Sequence, residues 1–149
     1  MKMLLTVFLL TISVSLSAQT NPKIYDIINA VSAERIEADI TTLAGFGTRN
    51  TFSDTVSNTR GIGAARRWIK KEFESISENC SNCLDVFYQK DFVEAEGNRR
   101  VPQDTWIVNV AAVQKGTKYP NRYIIMSGDI DSRNSDGSDF TQDAPGAND

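Results

Sequence analysis

Apolar residues recur along this chain with two different periods, and the change of period divides it. Ile24, Ile27, Ile28 and Val31 fall at i, i+3, i+4 and i+7 behind Pro22, which predicts a helix with proline in its first turn. Ser32 is placed to cap a second helix that carries Ile36, Ile40, Leu43 and Ala44 on one face and stops at Gly45. The stretch 45–58, GFGTRNTFSDTVSN, is rich in Gly, Ser, Thr and Asn and reads as a surface loop. A third and stronger helix is expected from about Thr59, with Ile62, Ala65, Ile69, Phe73 and Ile76 as its apolar stripe and Trp68 beside it. Such a stripe is the mark of a packing element, not of a cofactor site.

After the third helix the pattern becomes strand-like. Val86 to Val93 is aromatic and β-branched, while Trp106 to Val113 (WIVNVAAV) and Tyr123 to Met126 (YIIM) are near-continuous apolar runs. Runs of this kind suit strands covered on both faces. Helices followed by buried strands predict an α/β fold, a three-layer α/β/α sandwich with a mixed sheet. Only loop-like sequence follows YIIM, so the chain reads as the front part of a longer domain.

The first eighteen residues read differently again. Lys2 precedes an apolar run of 13 residues, Leu4 to Leu16, and small residues follow at Ser17 and Ala18. This is the pattern of a secretory signal peptide, too short to span a bilayer, with cleavage expected after Ala18 or after Ser17. Residues 19–149 then form the exported chain, secreted or periplasmic.

Composition narrows the chemistry. The 149 residues carry 16 Lys+Arg against 19 Asp+Glu, a net charge of −3, and no histidine. A nucleic-acid partner is not expected, because the basic face it would need is missing. Without histidine the chain holds no Ser-His-Asp or Cys-His catalysis and no His-ligated zinc. Its two cysteines, Cys80 and Cys83 in CSNC, leave three readings: a local disulfide staple, a redox pair, or free thiols. The redox reading lacks its context, since a redox CxxC opens a helix and this one follows a helix. Gly61 and Gly63 in GIGAAR follow a loop and lack the third glycine of a dinucleotide fingerprint, so that reading is discarded.

The tail is the acidic part. Asp129, Asp131, Asp136, Asp139, Asp143 and Asp149 place six carboxylates within 21 residues, beginning where YIIM ends. Ligand sites in α/β sheets gather at the carboxyl ends of strands. Asp129 and Asp131 alternate, so an extended chain points both the same way, and a cation or Arg133 would offset their repulsion. The other reading is a solvated acidic loop. An EF-hand fails, because the sixth position from Asp129 is Asn134 and the twelfth is Phe140.

Several segments together resemble metallopeptidase family twenty-eight. They are GTRN before the helix GIGAARRWIKKEF, then TWIVNVAAVQKG, YPNRYIIMSGDIDSR and the terminal DAPGAND. The family contains the two-zinc aminopeptidases of the bacterial leucyl and aminopeptidase Y types, related to glutamate carboxypeptidase and glutaminyl cyclase. The resemblance runs from about Ser32 to Asp149.

The resemblance implies a metal-dependent exopeptidase that takes peptide substrates and holds two zinc ions, whose shared hydroxide attacks the peptide bond. The family's His-x-Asp motif falls on Asp129-Ile130-Asp131, so Asp129 stands where the zinc-ligating histidine is usual. Asp131 matches the acid that orients that ligand and is the candidate catalytic residue. Asp149 matches the carboxylate that bridges the metals. Oxygen ligation by Asp129 would also admit Mn²⁺ or Mg²⁺. The family's remaining ligands and its general base have no counterpart up to Asp149, so the 149-residue chain is expected to be inactive by itself. A non-catalytic binding module of the same fold and a calcium-stabilised structural domain are the alternatives.

Overall fold

The computed structural model describes residues 21–97, 100–136 and 138–147. The expected signal peptide and Asp149 lie outside the described residues. The chain divides into two units, 1–37 and 38–149. Among the described residues there are three helices, α1 (Pro22–Asn29), α2 (Ala33–Gly45) and α3 (Gly61–Asn79), and two strands, β1 (Leu84–Val93) and β2 (Thr105–Gln114). No helix among them is long and apolar enough to cross a membrane.

The helix starts follow the sequence signals. Asn21 caps α1 by accepting from the Lys23 amide at 3.1 Å, with Pro22 in the first turn. Ser32 does the same for α2, its Oγ accepting from the Arg35 amide at 3.0 Å. The apolar stripe of α1 is not a packing surface here, since Ile24, Ile27, Ile28 and Val31 remain 52–70% exposed. Periodicity says which face would be buried but supplies nothing to cover it.

Helix α3 is the packing centre of the second unit. Ile62, Ala64 and Ala65 are fully buried, and the helix lies across both strands. Its stripe opens to solvent towards the C-terminal end, where Ile76 is exposed. Ser77 then fixes the exit into β1: its Oγ donates to the Leu84 carbonyl at 3.0 Å and accepts from the Leu84 amide at 3.1 Å. Cys80 and Cys83 are disulfide-bonded across this turn, with Cα atoms 5.4 Å apart. Ser81 and Asn82 between them adopt left-handed backbone, φ +61° and +59°.

The sheet differs from the expectation. Strands β1 and β2 form an antiparallel pair, with Phe92 opposite Trp106 and Leu84 opposite Gln114. Among the described residues this two-stranded sheet is neither mixed nor the centre of a three-layer sandwich. One face is covered by α3, and Trp106, Phe92 and Phe87 on the strands are exposed. The YIIM run is not a strand, and Tyr123, Ile124, Ile125 and Met126 are 75–96% exposed. The segment from Met126 to Asp131 passes α3 and β2 across a gap of about 380 Å³ and takes no part in the ladder. An apolar run becomes a buried strand only when a hydrogen-bonding edge and covering layers meet it, and neither is encoded in the run itself.

Candidate functional site

The site is built from the polar loop between α2 and α3, which sequence composition assigns to the surface. Thr48, Arg49, Asn50 and Ser53 are instead buried. Polar side chains can sit inside when each finds a local partner, and this loop is made of such turns. Asn50 Oδ1 accepts from the Phe52 amide at 2.9 Å, Thr48 Oγ1 from the Asn50 amide at 3.2 Å, and Ser53 Oγ donates to the Asn50 carbonyl at 2.6 Å.

The loop also closes the open end of α3. The first amides of a helix have no partner within it, and Arg60 at the cap position gives no side-chain bond. The loop supplies them: Gly61 donates to the Phe46 carbonyl at 3.1 Å, Ile62 to Ser53 Oγ at 2.9 Å and Gly63 to the Asp54 carbonyl at 3.1 Å. This approach explains the glycines of GIGAAR. Gly61 has φ +82°, and a Cβ at Gly63 would strike the backbone of Thr55.

Arg49 ties this loop to the acidic tail. It is 2% exposed, and its guanidinium donates to three backbone carbonyls: Nε to Ile130 at 2.9 Å, Nη1 to Leu43 at 2.6 Å, and Nη2 to Gly146. Its backbone is engaged as well. The Arg49 amide donates to Ser132 Oγ at 3.1 Å, and the Ser132 amide donates to the Arg49 carbonyl at 3.3 Å. Ser132 Oγ donates in turn to the Ala144 carbonyl at 2.5 Å, and the Ala144 amide to the Gly47 carbonyl at 3.0 Å. Segments 130–132 and 144–146 are thereby both bound to residues 47–49.

A cleft of about 1000 Å³ opens between these segments, with Asp129, Asp131, Asn134 and Asp143 in its walls. Asp129 and Asp131 are both exposed. The Asp131 charge acts on the guanidiniums of Arg49 and Arg66. Burial lowers the pKa of both arginines, and the Asp131 charge works against that lowering. Arg66 is 8% exposed and its Nε has no hydrogen-bond partner. Both side-chain polar atoms of Asn134 are likewise buried without a partner. Asp143 forms an ion pair with Arg60 at 2.6 Å.

Among the described residues no three His, Cys, Asp or Glu side chains gather to hold a metal ion. A catalytic zinc takes about three protein ligands, so the described residues do not by themselves make a zinc site. Of the three carboxylates singled out from sequence, Asp129 and Asp131 share the cleft and Asp149 lies outside the described residues. The residue that organises the cleft, Arg49, carries no signal in the pattern of the chain beyond its place in GTRN.

Known proteins give the remaining information. The chain is 42% identical over 127 residues to a protein of Leptosphaeria maculans named a probable zinc metalloprotease, covering 85% of this chain and 29% of that protein. A protein of the same name from Pyrenophora teres f. teres is 43% identical over 122 residues, 82% of this chain and 25% of its own length. The chain is similar to zinc metalloproteases. A third such protein, from Pyricularia oryzae, is 39% identical over 122 residues, 82% of this chain and 24% of its own. The chain spans about a quarter of the length of the curated relatives it matches. No family model matches it, and no solved structure matches it significantly.

Proposed function

We propose that this chain serves a zinc-dependent peptidase, an exported exopeptidase of the aminopeptidase type acting on peptides. The observation that carries the reading is the meeting of two separate segments at Arg49. The Asp129–Ser132 segment and the Ala144–Ala147 segment lie far apart from residue 49 in sequence, yet both are bonded to it and wall one cleft. These are the segments that resemble a metallopeptidase, and the relatives similar over most of the chain are named zinc metalloproteases. Asp129 would offer an oxygen ligand to the metal and Asp149 a bridging one, with Mn²⁺ or Mg²⁺ admitted beside zinc. Asp131 would stand behind Asp129, with Arg49 and Arg66 as its counter-charges. Further ligands must complete the site, and no catalytic step is assigned to these residues alone.

The test uses the protein purified from its producing cells. Metal analysis should find zinc, and hydrolysis of aminoacyl-nitroanilides should be chelator-sensitive. The amino terminus should be Gln19 or Ala18 after removal of the leader. In Asp129→Ala the bound zinc should fall. Absence of both zinc and chelator-sensitive hydrolysis would overturn the peptidase reading, and full zinc occupancy in Asp129→Ala would remove Asp129 as a ligand. Hydrolysis confined to N-blocked peptides would overturn the aminopeptidase assignment.

A further inference from the structure

We infer that Arg49 is the positioning residue of the cleft: its buried guanidinium holds the Asp129–Ser132 segment and the Ala144–Ala147 segment at a fixed separation, independently of any bound metal. The inference deepens the peptidase reading and takes its importance from it, but its physical content is separate.

Three facts support it. First, the guanidinium spends its donors on the backbone carbonyls of Leu43, Ile130 and Gly146, one in each of three segments. A planar fork of five N–H groups at fixed angles can reach such a set, while the single flexible ammonium of lysine cannot span it. Second, neither tail segment has regular secondary structure of its own. Such segments are ordinarily mobile unless tied down. Here they are tied by Arg49, by Ser132 Oγ and by the Ala144 amide, all converging on residues 47–49. Third, Arg49 is fully buried although charged, and burial works against that charge. A buried charge is retained where its hydrogen bonds are satisfied, and those bonds run to the two walls of the cleft.

A residue that served only the stability of the core would affect the whole unit equally. A positioning residue affects the two segments it holds. Amide hydrogen exchange of the full chain separates these cases, with the Ser132 and Ala144 amides as reporters and the amides of the β1–β2 ladder as reference. Both reporters donate to backbone carbonyls of residues 47–49, so they record docking without depending on the guanidinium directly. In Arg49→Met, exchange at Ser132 and Ala144 should rise roughly tenfold or more, as expected when charge-assisted hydrogen bonds are lost, while the ladder changes little. Arg49→Lys should fail to restore it, and guanidinium ion added to Arg49→Ala should slow it again.

Unchanged exchange at both reporters would overturn the inference, as would an equal rise across the β1–β2 ladder. If Arg49→Met does not fold, Arg49→Lys carries the same measurement with the same two overturning results. Zinc and peptide hydrolysis are not read in this experiment. Failure of the peptidase reading would therefore leave the exchange pattern in place, and failure here would leave zinc-dependent hydrolysis untouched.

Discussion

Arg49 and Ser132 lie 83 positions apart and pair through both backbones, the Arg49 amide on Ser132 Oγ and the Ser132 amide on the Arg49 carbonyl. The same hydroxyl donates a hydrogen bond to the Ala144 carbonyl. One small side chain therefore links three segments, and its removal leaves a buried amide and a carbonyl without their partner. Ser132→Ala should lower stability by about 1–3 kcal/mol. The denaturant midpoint measures this, and a shift near zero would mean that the hydroxyl is replaceable.

Gly63 and Gly45 make a controlled pair. At Gly63 an added methyl would meet the Thr55 backbone, while at Gly45 nothing lies within 4 Å. Gly63→Ala should push the 51–57 loop off α3 and cost about 1–3 kcal/mol, the usual range for overpacking. Gly45→Ala, at the end of α2, should be neutral or stabilising by up to about 1 kcal/mol. Thermal unfolding of the two variants should move in opposite directions or differ plainly in size.

The Cys80–Cys83 disulfide closes a turn that Ser77 and Leu84 already hold. Closing so short a loop is worth about 2 kcal/mol at most. Replacing both cysteines by serine should lower the unfolding free energy by no more than that. Non-reducing peptide mapping of the exported protein should recover the two residues joined, and two alkylatable thiols would contradict it.

Three loop aspartates should give these segments an acid limit. Asp54 accepts from the amides of Ser57 and Val56, which hold its carboxyl below the ordinary 3.8. Asp136 is lowered by the hydroxyl and amide of Ser138, and Asp139 by the amides of Thr141 and Gln142 and the Thr141 hydroxyl. A depressed folded pKa means that each contribution is complete above the unfolded value and lost as pH falls through the folded one. The loops should therefore hold at neutral pH and loosen only below the ordinary carboxylate range. Carboxyl ¹³C titration should place all three midpoints under 3.8, and Asp54→Asn should abolish the acid-dependent change in the 54–57 turn. Midpoints at or above 3.8 would refute this.

Helix ends and strand cores were legible along the chain because their causes are local. Pro22, Ser32 and Gly45 bound α1 and α2 through backbone geometry and short-range hydrogen bonds, and Val86 to Val93 and Trp106 to Val113 sit inside β1 and β2. The adjacency of Asp129 and Asp131 to the end of an apolar run was also visible, since it is a matter of spacing. Tertiary structure alone decided the rest. Burial of Arg49 depends on partners up to 97 positions away, and a polar loop looks the same in sequence whether solvent or distant carbonyls satisfy it. YIIM shows the converse, because its apolar residues specify a preference for burial while exposure depends on what lies beside them. Hydrophobic pattern fixes what a segment can bury, whereas long-range hydrogen bonds and available covering surface fix what it does bury.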